Sequence, residues 1–266
     1  LALPTVRTFW FSLLDRDSEN FVGLQNYFAV FTERFMLEAF RNNLLWILVG
    51  GTGSVVIGLL VAVLADRSRF ENLAKSLVFL PMAISMVGAG VIWNFIYEVK
   101  DAADPQIGLL NAIVVAFGGE PQAWTALIQP WNNLFLIVIV IWLQTGYAMV
   151  LFSAAIKGIP AEILEAARVD GATEVQVFFR IMLPFIRATI ITVSTTVVIF
   201  TLKIFDVVMV MTGGQFGTDV IATQFYRQYF TNRNFGLGST IAMILLIAVI
   251  PVMIYNLRQF REREAF

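Results

Sequence analysis

Five stretches of this chain are long and apolar enough to cross a lipid bilayer as helices. A hydrocarbon core of about 30 Å requires about 20 mostly apolar residues in one helix. Windows of that length cover residues 43–65, 74–97, 133–155, 185–211 and 237–257. Residues 1–14 resemble the end of a sixth apolar segment that begins upstream, with a processed terminus as the alternative. The pattern predicts an all-α, polytopic membrane protein with six helices in a single domain, residues 1–266.

The composition agrees with a chain whose solvent is lipid. Hydrophobic residues make up 58% of the sequence and charged residues only 14%, against about a quarter in soluble domains. The net charge is −1 without a long basic run, so nucleic-acid binding is not expected. The chain has no histidine and no cysteine, which removes the usual metal ligands, disulfides and His-dependent or Cys-dependent catalysis. No catalytic residue and no metal site is predicted.

Basic residues in short connections predict the orientation of the helices. Because such residues resist translocation, connections rich in Lys and Arg stay in the cytoplasm. Three alternate connections carry them, namely Arg67, Arg69 and Lys75, then Lys157, Arg168, Arg180 and Arg187, then Arg258, Arg261 and Arg263. The opposite connections, residues 15–41, 98–132 and 212–236, are longer and more acidic. We expect the first set, including the C-terminus, on the cytoplasmic side of a bacterial plasma membrane.

A polar stretch at residues 160–183 interrupts the apolar windows. Pro160 is suited to open a short helix over 160–170, since its fixed φ is helical. Gly171 is expected to end that helix, because glycine adopts the left-handed conformation without a steric penalty. A charged, alanine-rich helix of this kind cannot lie in lipid, so the stretch is predicted to project as a small knob.

The knob has two interpretations. Thr173 with Gln176 three residues later has the spacing of a capping box that starts a second helix. The first helix can lie on lipid headgroups, or it can dock a protein. Interfacial helices are usually rich in Lys and Arg, whereas the polar face here is more acidic than basic. This favours a protein partner.

The residues of the knob resemble the EAA signature of the permease subunits of binding-protein-dependent ABC importers. The matching residues are Ile159-Pro160, Glu165-Ala166-Ala167, Asp170-Gly171-Ala172, Phe178, Ile181 and Leu183-Pro184. The resemblance implies a MetI-like six-helix bundle whose cytoplasmic coupling helix inserts into a cleft of an ATPase subunit. It also implies ATPase-coupling roles for Pro160, Glu165, Ala166, Ala167, Asp170, Gly171, Leu183 and Pro184.

Further segments are similar to the carbohydrate-uptake branch of that family, of the maltose and glycerol-phosphate type. They are residues 22–27, 41–43, 79–81, 108–111, 205–206 and 212–214. The resemblance places Leu143, Gln144, Tyr147, Phe200, Thr201 and Ile204 along the sugar path. Val140, Val197 and Ile204 are apolar where the maltose type has polar groups, which allows a smaller or differently oriented substrate. α-Glucosides, maltose, trehalose and glycerol 3-phosphate are all candidate substrates. Residues 214–218 and 258–260 most resemble the α-glucoside type.

Residues 142–147 form the most polar and aromatic stretch inside any apolar window. Trp142 and Tyr147 can stack on sugar faces, and Gln144 can donate amide hydrogen bonds. The alternative is that both aromatic side chains only pack in the bundle or lie in an aromatic belt. The resemblance favours the sugar path.

The free energy for transport must come from outside this chain if it is a pump. The sequence contains no Gly-Lys-Ser/Thr element and therefore no P-loop. The resemblance implies ATP and Mg²⁺ in two ATP-binding cassette subunits, a second permease subunit and an extracytoplasmic solute-binding protein. The remaining expected partners are membrane lipid and the sugar, and this chain is expected to bind no cofactor itself.

Three other functions compete with that of an ATP-driven sugar importer. An ion-coupled secondary transporter needs intramembrane ionisable groups, and Lys203 and Asp206 are predicted to share one helix face and to pair structurally instead. An enzyme acting on lipid-linked sugars is disfavoured because no paired carboxylates face each other within a window. An ABC importer of amino acids or phosphate would carry the same knob, and the long outer connections favour sugar.

Overall fold

The computed structural model describes residues 2–101 and 103–264, with side chains as far as Asn256. Within these residues the chain is mostly helical and no strand is present. The helices of the first half are α1 Ala2–Ser12, α2 Gln25–Thr32, α3 Arg34–Leu45, α4 Thr52–Asp66, α5 Glu71–Phe79, α6 Met86–Ile96 and α7 Leu109–Ala116. The helices of the second half are α8 Trp131–Lys157, α9 Ala161–Val169, α10 Glu174–Val177, α11 Leu183–Phe185, α12 Arg187–Leu202, α13 Asp206–Met211, α14 Ile221–Tyr226 and α15 Phe235–Glu264.

Among the described residues, three uninterrupted helices are long and apolar enough to cross a membrane. They are Arg34–Asp66, Trp131–Lys157 and Phe235–Asn256. The first joins α3 and α4 through a π-helical stretch, Trp46–Gly51. Two bent helix pairs raise the number to five if each pair counts as one span. The predicted windows 43–65, 133–155 and 237–257 therefore lie inside continuous helices, whereas the sixth span stays a prediction because α1 covers only Ala2–Ser12.

The expectation of one unbroken helix over 74–97 is wrong. A tight 3₁₀ turn, Leu80–Ala83, follows α5, and Pro81 has no N–H to continue an α-helical ladder. Ser85 then caps a new helix, because its hydroxyl accepts a hydrogen bond from the Gly88 amide at 3.0 Å. Proline and a capping serine thus divide this window.

The window 185–211 is also not one helix. After α11, a bend of 70° precedes α12, and α12 ends at Leu202. The buried amide of Asn43 donates to the Leu202 carbonyl at 3.2 Å, which satisfies a group that the helix end leaves unpaired. Asp206 starts α13, where its charge complements the helix dipole. Lys203 and Asp206 therefore do not share a helix face, and no ion pair joins them among the residues that the structure describes.

The chain divides into two compact units. The first unit comprises Leu1–Gly50, Ser85–Ile139 and Phe200–Pro251, and the second comprises Gly51–Ile84, Val140–Ile199 and Val252–Phe266. One apolar cluster of the first unit contains Val30, Met36, Ala39, Ile221, Leu237 and Ile241. The core of the second unit contains Ala62, Ala148, Met149, Phe152, Val177, Met182, Val193 and Val197.

A buried carboxylate organises the 212–220 loop of the first unit. Asp219 is 8% exposed and accepts hydrogen bonds from Arg227 at 2.5 Å and from Thr223 at 3.0 Å. Burial raises the pKa of Asp219 above its ordinary value, and the Arg227 charge opposes that shift. The carbonyl of the same residue accepts a bond from the Asn42 amide at 2.8 Å. These contacts hold the loop between α13 and α14.

Candidate docking helix and transport path

The short helix α9 presents most of its surface to the outside. Pro160 is the residue that precedes the helix, with φ −56° and ψ 130°, and the helix begins at Ala161 rather than at the proline. Leu164 and Ala167, three residues apart, pack against the core of the second unit. Val169 is 87% exposed at the end of the helix. Ile163 is 41% exposed as well, so the outer surface of α9 includes apolar side chains.

The coupling residues predicted on α9 lie on its free surface. Glu165, Ala166 and Asp170 are exposed, and Ala167 is half-buried because it faces the core. Alanine at an exposed helix position lets another backbone approach closely. The outward row therefore combines two carboxylates with small and apolar groups.

The turn after α9 is fixed by backbone hydrogen bonds. Gly171 has φ +83°, as the Asp-Gly pair predicted. Its amide donates to the Arg168 carbonyl at 3.1 Å, and the Ala172 amide donates to the Ala167 carbonyl at 3.0 Å. This pair of bonds is the Schellman motif, which requires the left-handed residue at that position.

The second helix of the knob begins with the predicted capping box. The Gln176 amide donates to the Thr173 hydroxyl at 3.3 Å, and the Thr173 amide donates to the Gln176 side chain at 2.8 Å. Val177 and Met182 are then the buried anchors, whereas the neighbouring Phe179 is 61% exposed. The direction in which α9 leaves the bundle is thus set by local bonds and two apolar anchors.

Leu183 and Pro184 close the knob. Both belong to the single turn α11, in which Leu183 is half-buried and Pro184 is exposed. Proline fits the start of a helix because the first amides of a helix have no intrahelical acceptor. These two residues mark where the knob returns to the bundle.

An ion cluster that the sequence did not reveal links α9, α10 and the end of α8 to residues 66–75, where α4 ends and α5 begins. We call it the ionic brace, and it consists of Asp66, Arg67, Glu71, Lys75, Lys157, Arg168 and Glu174. At the start of α10, the Glu174 carboxylate accepts hydrogen bonds from Arg67 at 2.5 Å and from Arg168 at 2.8 Å. The hydrogen bond to Glu174 raises the pKa of the Arg168 guanidinium. Arg168 is thereby held against α10 and the α4–α5 connection.

A second part of the brace holds the end of α8, just before the knob. Glu71 pairs with Lys157, the last residue of α8, and with Lys75 at 2.5 Å. Lys75 also contacts Asp66 and donates to the Ser153 hydroxyl. Only the Glu71–Lys75 pair has a spacing, i and i+4, that a sequence pattern can reveal. The other partners lie too far apart in the chain.

The residues expected along the transport path fall into both units. In the second unit Leu143 is 2% exposed, Trp142 and Gln144 are half-buried, and Tyr147 packs against the core. In the first unit Thr201 and Ile204 are buried and Phe200 is half-buried. The path set itself stays a prediction. None of its side chains carries a charge.

The described residues contain no cluster of side chains that could serve as a metal centre. Across residues 2–101 and 103–264, no three His, Cys, Asp or Glu side chains are grouped so that they can hold a metal ion. Whether this chain binds a cofactor stays a prediction.

Helices long and apolar enough to cross a membrane, together with an exposed polar helix held by the ionic brace, are typical of the membrane subunit of a transporter. The chain belongs to the family of binding-protein-dependent transport system inner membrane components, whose model matches residues 54–263.

Two relatives agree with this membership, and a solved structure shares the fold. The chain is 55% identical over 264 residues to the osmoprotective compounds uptake permease protein GgtC of Synechocystis sp., covering 99% of this chain and 94% of the relative. It is 51% identical to the α-glucoside transport system permease protein AglF of Rhizobium meliloti, covering 97% of this chain and 77% of the relative. A bacterial ABC transporter involved in the import of alginate has a subunit of the same fold, with a TM-score of 0.83, 20% identity and coverage of 98% and 90%.

Proposed function

We propose that this chain is the membrane-spanning subunit of an ATP-driven importer of neutral α-linked glucosides. The observation that carries the proposal is the near-complete match, at 55% and 51% identity, to two permeases named for uptake of osmoprotective compounds and of α-glucosides. The uncharged set of path residues supports a neutral, hydroxylated solute. Gln144 and Thr201 supply hydrogen-bonding groups, and Trp142 and Tyr147 supply aromatic faces for stacking.

The proposed assembly contains a second permease subunit, two ATPase subunits that hold ATP and Mg²⁺, and an extracytoplasmic solute-binding protein. In the proposed orientation the knob and the C-terminus face the cytoplasm, and the connections 15–41, 98–132 and 212–236 face outward. When ATP binding closes the ATPase pair, α9 transmits the motion as a rigid lever and the bundle changes the side to which it opens. Glu165 and Gly171 are the coupling positions in this scheme, and Leu183 with Pro184 forms the return.

The substrate class is tested by uptake in whole cells. The chain is expressed with the products of its neighbouring reading frames in a host that lacks α-glucoside uptake. We expect accumulation of a ¹⁴C-labelled α-glucoside, competed by excess unlabelled maltose or trehalose and not by glycerol 3-phosphate. Uptake of an amino acid or of phosphate in place of the glucoside would instead support an importer of another solute class.

The energy source is tested by reconstitution. Proteoliposomes that contain this chain alone, with an imposed Na⁺ or H⁺ gradient, are expected to accumulate no labelled glucoside. The complete complex with internal ATP and external binding protein is expected to accumulate it. Accumulation by the chain alone would favour ion coupling.

The ionic brace gives a prediction about coupling. Glu174→Ala removes the shared acceptor of Arg67 and Arg168, so α9 loses its fixed position relative to the α4–α5 connection. Because the pairs are about half-exposed and exposed pairs are weak and screened by salt, we expect a loss of uptake of less than about tenfold. Uptake by the wild type is expected to fall with ionic strength and uptake by the variant to change less.

Glu120→Ala is the matched control for the brace. Glu120 is an exposed carboxylate on the connection 98–132, and no ion pair of the described residues includes it. Its replacement is expected to leave uptake and salt dependence at wild-type values. A wild-type response in Glu174→Ala as well would show that the brace has no part in coupling.

A further inference from the structure

A cavity of about 520 Å³ lies in the first unit beside α1. Its polar lining comes from Arg7 and Thr8 of α1, from Tyr229, and from Ser239 of α15. Its apolar lining comes from Pro4, Phe11, Phe225 and Ala242. The cavity thus combines one cation, three hydroxyl groups and a hydrophobic wall.

Arg7 is a cation without an anionic partner among the described residues of the chain. Its guanidinium lies 5.3 Å from the ring centroid of Phe11. It stands five residues before the end of α1 at Ser12, which is about 8 Å along a helix. A charged side chain at such a depth is costly unless it is paired or reaches the headgroup region. Lipid phosphates lie in the headgroup region, which a long arginine side chain can reach.

Ser239 provides a second, independent observation. It is 1% exposed, and its hydroxyl has no hydrogen-bond partner. The adjacent Thr240 hydroxyl, by contrast, lies 2.9 Å from the Gly236 carbonyl and 3.1 Å from the Ser12 carbonyl. Buried hydroxyl groups without a partner are rare because their burial is unfavourable. The lining of the cavity therefore includes an unpartnered buried hydroxyl group and a cation without an anionic partner among the described residues.

We infer that this cavity binds the phosphate of a phospholipid in the leaflet next to the connection 15–41. The phosphate accepts hydrogen bonds from Arg7 and Ser239, with the Tyr229 phenol as a further donor. The acyl chains follow the apolar surface of α1, where Leu3 is 79% and Val6 is 65% exposed. Positive charge selects an anion, and the apolar surface that continues from the cavity selects a lipid over a soluble anion.

Native mass spectrometry of the complex recovered with this chain in mild detergent tests the site. We expect one retained phospholipid per complex, and about tenfold lower occupancy in Arg7→Gln, since a charge-assisted hydrogen bond is lost. Ser239→Val keeps the charge and fills the cavity, and it is expected to lower occupancy as well. Arg7→Lys is expected to retain part of the wild-type lipid occupancy. Arg34→Gln, an exposed cation at the start of α3, is the control and should retain the lipid.

Two further arms identify the occupant. After delipidation, phosphatidylglycerol is expected to restore the bound mass, and inorganic phosphate at the same concentration is not. A photo-crosslinker at Thr8 is expected to label phospholipid. The inference is overturned if lipid occupancy is unchanged in both Arg7→Gln and Ser239→Val. It is also overturned if inorganic phosphate binds to the same occupancy as phosphatidylglycerol, or if the crosslinker labels the second permease subunit alone.

Discussion

Valine at position 171 is expected to abolish uptake while the protein accumulates in the membrane at its normal level. Gly171 has φ +83°, and no atom lies within 4 Å of the place that a Cβ would occupy. The cost is therefore conformational rather than steric crowding, about 1–2 kcal/mol for an ordinary residue and more for a β-branched one. The chain relieves this strain by giving up the Schellman bonds at the end of α9, which changes the direction in which the docking helix projects. Uptake of labelled glucoside and immunoblotting of membranes measure the two effects.

The chain offers a closely matched control for this substitution. Gly118 has φ +80° and is likewise open around its Cβ position, but it lies on the connection 98–132. Gly118→Val introduces the same backbone strain in a different connection of the chain and is expected to leave most of the uptake intact. Gly171→Asn should also preserve uptake, because asparagine tolerates the left-handed region. Equal losses in the Gly118 and Gly171 valine variants would indicate general misfolding and contradict a coupling role.

The knob was predictable because its signals are local. The Asp-Gly pair, the spacing of Thr173 and Gln176, and Pro160 before a polar helix each act within a few residues. The left-handed glycine and the capping box are confirmed. The inward face of α9, formed by Leu164 and Ala167, is not evident from the sequence. An alanine-rich helix has no strong preference between neighbouring faces.

The helix break at Lys203 was not predictable from its own segment. Residues 185–211 are mostly apolar and contain only three charged residues, Arg187, Lys203 and Asp206, so hydropathy alone predicts one helix over the segment. The amide that satisfies the end of α12 belongs to Asn43, 159 residues away in the chain. A tertiary hydrogen bond therefore decides where this helix stops.

The ionic brace has the same non-local origin. Glu174 lies 107 residues from Arg67, and Lys157 lies 86 residues from Glu71. No spacing rule joins such positions, although Arg67, Lys157 and Arg168 all belong to the set of basic residues that is expected on the cytoplasmic side. The burial of the expected path residues could not be predicted from the sequence either. Leu143 and Thr201 lie in apolar windows, and the packing between helices decides which face of each window is buried.

Alanine at position 58 is expected to destabilise the second unit, although helix propensity alone predicts the opposite. In an α-helix, alanine is about 1 kcal/mol more favourable than glycine. At Gly58 of α4, however, a Cβ would lie 2.5 Å from the Cβ of Ala148 and 3.1 Å from the Met149 amide nitrogen on α8. Small residues at helix contacts let backbones approach closely, so the added methyl forces the two helices apart. Overpacking of this kind costs about 1–3 kcal/mol.

The sign of the effect distinguishes packing from propensity. Gly51, at the start of the same helix, has no atom within 4 Å of its Cβ position, so Gly51→Ala is expected to leave stability unchanged or raise it. Thermal unfolding of the purified complex should show a lower midpoint for Gly58→Ala, by about 3–10 °C, and no decrease for Gly51→Ala. The double variant Gly58→Ala with Ala148→Gly exchanges the methyl between the two helices and should recover part of the loss. Equal midpoints for both single variants would mean that α4 and α8 are not in close contact at Gly58. Failure of the double variant to recover while Gly58→Ala is destabilised would locate the clash at the Met149 backbone.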